Sequence, residues 1–123
     1  MAVSRVDQRQ IVEVFYRFHD GEVLRHPALV VSSNDLQDIE EGMFYAVLIS
    51  SKNIHPEYTI EIDPDDLIGS SQLTKKSYYV THIMSFFSYE NVIFKYNLFV
   101  KKERFNFIVE EVINNIFGPS DMG

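Results

Sequence analysis

The spacing of apolar residues changes near the C-terminus, and this change limits what the chain can fold into. Apolar residues recur there at alternating intervals of three and one, at Phe105, Ile108, Val109, Val112, Ile113, Ile116 and Phe117. This spacing places them in one stripe along an α-helix. Gly118 and Pro119 follow, and both residue types are typical of helix ends. The pattern predicts an α-helix from about Lys101 to Phe117.

Upstream of that helix, the chain shows the two-residue alternation of β-strands. Within Gln10 to Phe18, the side chains of Val12 and Val14 share one face, and Glu13 lies on the other. Continuous apolar runs at Ala28 to Val31 and Phe44 to Ile49 predict strands buried on both faces. Other strands are predicted at Tyr58 to Asp63, Ser77 to Met84 and Asn91 to Phe99, with loops at Asn34 to Gly42 and Asp65 to Lys76.

Five or six short strands followed by one helix predict a mainly β fold with a C-terminal α-helix. We expect the strands to close into a small barrel, because closure removes exposed strand edges, and the helix to cover its open side. No repeat or linker divides the 123 residues, so the sequence predicts one domain, 1–123, with its core at about 10–117.

The composition excludes several classes of protein. There is no cysteine, so neither a disulfide framework nor a thiolate metal site is possible. The longest apolar run, Met43 to Ile49, is too short to span a bilayer, and no signal peptide is evident in Met1 to Gln10. These features predict a cytoplasmic protein with no membrane partner and no metal or other cofactor.

The net charge of −7 argues against binding nucleic acid by nonspecific neutralisation of phosphates. The charges are unevenly distributed, however. Acidic residues crowd the stretch from Asp35 to Asp66, where Lys52 is the only lysine or arginine, and the C-terminal part is more basic. A nucleic-acid site is therefore compatible with the sequence if these acidic side chains face away from it.

Four segments, in this order and spacing, resemble the PemK/MazF family of toxin endoribonucleases. Arg25 to Asn34, RHPALVVSSN, resembles the family's Arg-Pro strand and the Ser/Asn-rich loop after it. Ala46 to Lys52, AVLISSK, resembles its second signature, an apolar strand that ends in a hydroxyl residue. Tyr58 to Asp63 and Ser77 to Ile83 resemble its hairpin strand and its central strand. With the terminal helix, the likeness covers about Gln10 to Phe117.

The resemblance implies a small SH3-like β-barrel of the PemK/MazF (CcdB-like) type that forms a two-fold homodimer. It also implies a toxin of a type II toxin–antitoxin system, neutralised by a cognate antitoxin protein. Such toxins cleave single-stranded RNA without a metal ion. The 2′-hydroxyl attacks the adjacent phosphate, leaving a cyclic phosphate and a free 5′-hydroxyl.

The family's catalytic arginine precedes the proline, but in this chain His26 occupies that position and Arg25 lies one residue earlier. Adjacent side chains of a strand point to opposite faces, so Arg25 replaces that arginine only if the strand begins later. Imidazole can act as acid or base near neutral pH, although it lacks the permanent charge of a guanidinium. The alternative interpretation of His26 is a turn residue before a proline.

The resemblance assigns roles to other polar residues. Ser50 stands where the family has a catalytic threonine, so its hydroxyl can still bind phosphate. With His26 and Arg25, it completes the predicted catalytic set. Ser51, Lys52 and His82 are the predicted RNA-binding residues. Each also has a structural interpretation: serines that end a strand, a solvated lysine, and a histidine satisfied within the sheet.

Two further hypotheses keep the fold and discard the chemistry. The chain could be a non-enzymatic binding module, since a toxin of related fold poisons DNA gyrase by protein contact alone. It could also be a degenerate family member that retains only dimerisation and antitoxin binding. The missing arginine and the acidic charge favour these two hypotheses, whereas His26 and the hydroxyl of Ser50 favour the nuclease.

Overall fold

The computed structural model describes residues 5–53 and 55–120, and its main feature is one antiparallel sheet of seven strands. The strands run in the spatial order β4-β6-β3-β2-β1-β7-β5. Their bounds are β1 Gln10–Arg17, β2 Val23–Val30, β3 Met43–Ser50, β4 Thr59–Glu61, β5 Leu67–Ile68, β6 Tyr78–Ser88 and β7 Val92–Val100. The two helices are α1, Asn34–Ile39, and α2, Lys102–Phe117.

The central strands are buried on both faces, as their continuous apolar runs predict. On β3, Val47 and Ile49 point into one core, and Ala46 and Leu48 point into a second core on the opposite face. Period-two alternation sends successive side chains to opposite faces, so an uninterrupted apolar strand fills two cores. The strand therefore lies between the two cores, and its last residue, Ser50, is half-buried at their edge.

The C-terminal helix has the predicted bounds to within one residue. Its side chains Phe105, Ile108 and Val112 are buried in the first core against residues of the sheet. Burying one such side chain contributes about 1.5–3 kcal/mol. Gly118 ends the helix, and its amide donates to the carbonyl of Asn114 at 2.9 Å. Neither α1 nor α2 is long and apolar enough to cross a membrane, as judged over the described residues.

Two details of the predicted barrel are wrong. The sheet has seven strands rather than five or six, and it is not closed, because β4 and β5 stand at its two ends. These edge strands contain only three and two residues, so they offer few backbone groups for pairing. Along the chain, a 3₁₀ turn, Pro64–Asp66, separates β4 from β5, and Pro64 has no amide hydrogen to donate. Short edge strands limit unwanted pairing without closure.

A helix also replaces part of the loop predicted from Asn34 to Gly42. The hydroxyl of Ser33 caps α1 by accepting from the amide of Leu36 at 3.3 Å. Gln37 is the buried residue of this helix, and its side-chain carbonyl accepts from the Tyr89 hydroxyl at 2.7 Å. Because a polar side chain anchors the helix, no apolar stripe marks it in the sequence.

Candidate functional site

The pairing of β2 with β3 brings the predicted catalytic residues together. Ala28 lies opposite Leu48 in this antiparallel pair, and extending the register by two residues places His26 opposite Ser50. The two strands are in contact there, since His26 Nδ1 lies 3.3 Å from the carbonyl oxygen of Ile49. A residue before a proline favours extended backbone, which suits a histidine within a strand.

His26 and Ser50 line one cavity of about 370 Å³, which we call the histidine cleft. Its polar lining residues include His19, His26, Ser50, Lys52, His55 and His82. These include all four histidines of the chain. No carboxylate lines the cleft in the described part of the chain. A chain with a net charge of −7 therefore keeps a cavity whose ionisable lining groups are all potential cations.

The ring of His26 is held in a defined orientation. A carbonyl oxygen can only accept, so the contact with Ile49 requires the proton on Nδ1. The ring also packs against Phe18, with a centroid separation of 5.5 Å and a T-shaped geometry. The other nitrogen, Nε2, remains as the atom that can exchange a proton with a ligand.

At the end of β3, hydroxyl and amino groups line the same cleft. The Ser50 hydroxyl accepts from the Lys52 amide at 3.1 Å, and its own hydrogen remains able to donate to a bound anion. The Lys52 side chain lies on the same side as Ser50, whereas Ser51, the residue between them, faces a different cavity. Alternation along the chain end produces this separation.

A pair of histidines also lines this cleft. The rings of His55 and His82 meet edge to face with centroids 5.8 Å apart, and Tyr58 lies 5.0 Å from His82. His82 Nδ1 is buried and has no hydrogen-bond partner among the described residues. Burial, followed by the charge of His55, lowers the pKa of His82, while Glu57 opposes this shift.

A second cavity of about 400 Å³ lies beside the first, and we call it the arginine cleft. Its lining includes Glu13, Arg25, His26, Ser51, Lys75 and Tyr96. Arg25 Nη2 donates to Glu13 Oε2 at 2.8 Å. Because β2 begins at Val23, Arg25 and His26 are consecutive strand residues on opposite faces. His26 alone among the six predicted site residues borders both clefts.

The six predicted residues are thus divided between two sites. His26, Ser50, Lys52 and His82 line the histidine cleft, whereas Arg25 and Ser51 line only the arginine cleft. Lys76, which follows Lys75 of the arginine cleft in sequence, pairs with Glu61 at 3.3 Å. His19 and His55 were not predicted as site residues, because they lie in connections whose paths no local pattern specifies. His19 directly follows the predicted strand Gln10 to Phe18, and His55 lies shortly before the one that begins at Tyr58.

The four histidines do not form a metal centre. In residues 5–53 and 55–120, no group of three or more histidine, aspartate or glutamate side chains is arranged to hold a metal ion. A further cavity, about 580 Å³, lies beside the segment from Gly69 to Ser77 and has no histidine in its lining.

The fold is found in several solved structures. MazF from Deinococcus radiodurans superposes with a TM-score of 0.69 at 12% identity, over 89% of this chain and 94% of that one. An endoribonuclease in complex with its cognate antitoxin, from a mycobacterial species, has a TM-score of 0.66 at 14% identity, over 94% and 99% of the two chains. A MazE–MazF complex from D. radiodurans gives 0.63 at 14% identity, over 90% and 92%.

No family model and no curated protein sequence matches the chain. Identities of 12–14% over nearly complete chains show a common fold. The protein therefore has the MazF-type fold that its strand order and terminal helix indicate. What its own site does must be argued from its own side chains.

Proposed function

We propose that this chain, which has the MazF-type fold, is a toxin endoribonuclease that cleaves single-stranded RNA in the cytoplasm without a metal ion. The observation that carries the proposal is the histidine cleft. It joins His26 and Ser50 on one face of adjacent strands, with Lys52 beside them and no described carboxylate in its lining. Such a cavity suits a phosphodiester, which needs proton transfer and positive charge.

The reaction transfers one proton at each end. A base removes the proton of the 2′-hydroxyl, and the 2′-oxygen then bonds to the adjacent phosphorus. The bond from phosphorus to the 5′-oxygen breaks, and an acid gives that oxygen a proton. The products are a cyclic phosphate and a 5′-hydroxyl. His26 Nε2 exchanges a proton, the Ser50 hydroxyl donates to a phosphate oxygen, and Lys52 offsets the charge that develops.

Arg25 takes a different part in this proposal from the one that the resemblance suggests. Its side chain is on the opposite face of β2 from His26 and is paired with Glu13 at 2.8 Å. In this proposal Arg25 contacts a neighbouring phosphate of the RNA in the arginine cleft, where the Ser51 hydroxyl can donate a hydrogen bond, and it does not contact the reacting phosphate. His82 lines the wall of the histidine cleft and meets the bound nucleotide there.

The proposal includes two protein partners, a second copy of the chain and an antitoxin. An apolar surface lies at the end of β3 far from Ser50, where Tyr45 and Phe86 pack together at 4.5 Å. Beside it on α2, Ile113 is 52% exposed and Phe117 is 67% exposed. A group of neighbouring exposed apolar side chains suits a protein interface, and we place the homodimer contact there. A cognate antitoxin would then neutralise the dimer. An endoribonuclease of similar fold from a mycobacterial species is seen in complex with its cognate antitoxin.

A binding module without catalysis is the second candidate. No guanidinium among the described residues lines the histidine cleft, and Arg25 is paired with Glu13 outside it, which favours this candidate. The net charge of −7 also suits a protein partner better than RNA. On this hypothesis the apolar surface would be retained, and cleavage would be lost.

Incubation of the purified protein with a long single-stranded RNA in EDTA distinguishes the two candidates. The nuclease hypothesis predicts discrete fragments that end in a cyclic phosphate and begin with a 5′-hydroxyl. A Lys52→Ala variant should cleave more slowly, and Lys102→Ala, which removes a lysine outside both clefts, should cleave as the wild type does. Intact RNA at micromolar protein concentrations would support the binding module and contradict the nuclease.

A further inference from the structure

His82 has features that a histidine of purely structural function lacks. Its Nδ1 atom is buried and makes no hydrogen bond within the described residues, although most buried polar atoms find a partner. The ring contacts those of His55 and Tyr58, with centroids 5.8 Å and 5.0 Å away, and it lines the same cleft as His26 and Ser50. Because Nδ1 is enclosed by protein, the other ring nitrogen, Nε2, is the atom that would exchange a proton with a ligand in the cleft.

A buried hydrogen-bond network supports the wall that holds this ring. The Thr81 hydroxyl is fully buried, donates to the Tyr58 carbonyl at 2.6 Å, and accepts from Asn115 Nδ2 at 2.6 Å. This network ties β6, which carries His82, to α2 and to the 3₁₀ turn Pro56–Tyr58. The network therefore holds the backbone of β6 beside His82 against two other elements.

The surroundings of His82 favour its neutral form. The titratable and charged groups around it in the described residues are His55, Glu57 and Tyr58 from the segment after β3, and Lys52, His26 and His19 from the cleft lining. Burial lowers the pKa of His82, the charge of His55 lowers it further, and Glu57 opposes both effects. A neutral imidazole can accept a proton, as a general base must.

His26 is suited to the opposite role. With its Nδ1 hydrogen donated to the Ile49 carbonyl, a protonated ring still has the Nε2 hydrogen to give to a leaving oxygen. The two histidines are on different strands, β2 and β6, and line one cavity. Base and acid are needed on opposite sides of the reacting phosphate, since the attacking and leaving oxygens are in line.

We propose that His82 is the general base of the cleavage reaction and His26 its general acid, which deepens and rests on the function proposed above. His82 takes the proton of the 2′-hydroxyl as the 2′-oxygen bonds to phosphorus. His26 gives its proton to the 5′-oxygen as the bond between phosphorus and that oxygen breaks. Exchange with water then returns His82 to its neutral form and His26 to its protonated form. His55 is a positioning residue that acts through the charge state of His82.

An RNA whose scissile 5′-oxygen is replaced by sulfur separates the two roles. A thiolate leaves without a proton, so this substrate needs a base but no acid. His26→Ala and His82→Ala should each cleave normal RNA about 100-fold more slowly than the wild type, or slower still. The sulfur substrate should restore His26→Ala to near the wild-type rate and leave His82→Ala slow. His82→Asn is the second variant, for use if the alanine protein does not give a native circular dichroism spectrum.

The pH dependence gives a second readout that a structural role would not change. The wild-type kcat/KM should follow a bell-shaped curve, falling at low pH as the base gains a proton and at high pH as the acid loses one. His55→Gln removes a charge that lowers the pKa of His82, so its low-pH limb should move to higher pH. The pKa of His82 can also be measured by proton NMR in the slowly cleaving His26→Ala protein. It should be higher there when His55 is replaced by glutamine.

The possible outcomes can be told apart. If His82→Ala cleaves normal RNA as fast as the wild type, the inference is overturned and the nuclease function stands. If the sulfur substrate restores His82→Ala but not His26→Ala, the two roles are reversed and the inference is also wrong. If the wild type cleaves neither substrate, the nuclease function fails and the inference falls with it.

Discussion

The histidine cleft and the arginine cleft share His26 and the ends of the same two strands, yet their chemistry differs. The first gathers imidazoles, a hydroxyl and an amino group, whereas the second contains an ion pair between Arg25 and Glu13. Strand alternation produces the difference, because neighbouring residues of β2 and β3 enter different cavities. Residues that are adjacent in the sequence of a strand, such as Arg25 and His26, therefore carry their functional groups to opposite faces of the sheet.

The two neighbouring serines test the comparison most strongly. Ser50 faces the histidine cleft and Ser51 faces the arginine cleft. Removing a donor that stabilises charge at the reacting centre costs about 100-fold in rate or more, so Ser50→Ala should lower kcat by that amount. Ser51→Ala should change kcat by less than about twofold, because Ser51 does not contact the reacting phosphate. Equal losses in single-turnover assays would show that both clefts serve the reaction.

Substitutions of the lysines in the two clefts should also differ in their effects, but by less than those of the serines. Loss of a hydrogen bond from a charged group costs about 1.5–3 kcal/mol, so Lys52→Ala should lower kcat/KM by about 10-fold or more. Lys75→Ala, in the arginine cleft, should weaken RNA binding by less and leave kcat unchanged. Because so few cations contact phosphate, wild-type binding should weaken only gradually with added salt, and either variant should reduce that slope. A steep slope that neither variant alters would place the RNA on another surface.

The walls of the two clefts should also differ in what they contribute to stability. Thr81 is fully buried and makes hydrogen bonds to Tyr58 and Asn115, so Thr81→Val should lower the free energy of unfolding by about 1–3 kcal/mol. The Arg25 side chain is 62% exposed, and Arg25→Gln should therefore cost less than about 1 kcal/mol. Urea denaturation measures both values. The account of the two walls is wrong if the order is reversed.

The smallest expected effect concerns pH and stability. The lowered pKa of His82 means that the folded protein resists a proton that an unfolded histidine accepts near pH 6.5. The resulting stability is present above that pH and is lost as the pH falls below it. Between pH 7.5 and 5.5, His82→Gln should therefore lose less free energy of unfolding than the wild type. Ser51→Ala, a change without a titrating group, should lose as much as the wild type, and an identical loss in all three would refute the account of His82.

The parts of the fold that long local patterns encode were predictable. The stripe from Phe105 to Phe117 sets α2 to within one residue, because seven apolar positions repeat with the helical period. Two shorter elements were not predictable. The two residues of β5 become a strand only by pairing with Val100 and Phe99 of β7, and α1 depends on the burial of Gln37. Both elements depend on contacts with residues far away in the sequence, so the local sequence does not predict either element.

The candidate site divides in the same way. Alternation alone predicts that Arg25 and His26 point to opposite faces, and the antiparallel pairing of adjacent strands predicts that His26 approaches Ser50. The presence of His19 and His55 in the same cleft depends on the paths of two connections. Likewise, β4 and the 3₁₀ turn before it bring Tyr58 to His82, and this placement follows from pairing with β6.

The rate of RNA cleavage by His26 variants tests most directly whether the histidine cleft is the catalytic site. If the cleft is catalytic, the wild type cleaves in EDTA and His26→Ala is slower by about 100-fold or more. His26→Arg restores the charge of the family residue, but a guanidinium gives up no proton near neutral pH, so its rate should lie between those of His26→Ala and the wild type. Equal cleavage by the wild type and His26→Ala would make His26 a structural residue. Cleavage by His26→Arg alone would show that the natural protein has lost catalysis and acts by binding.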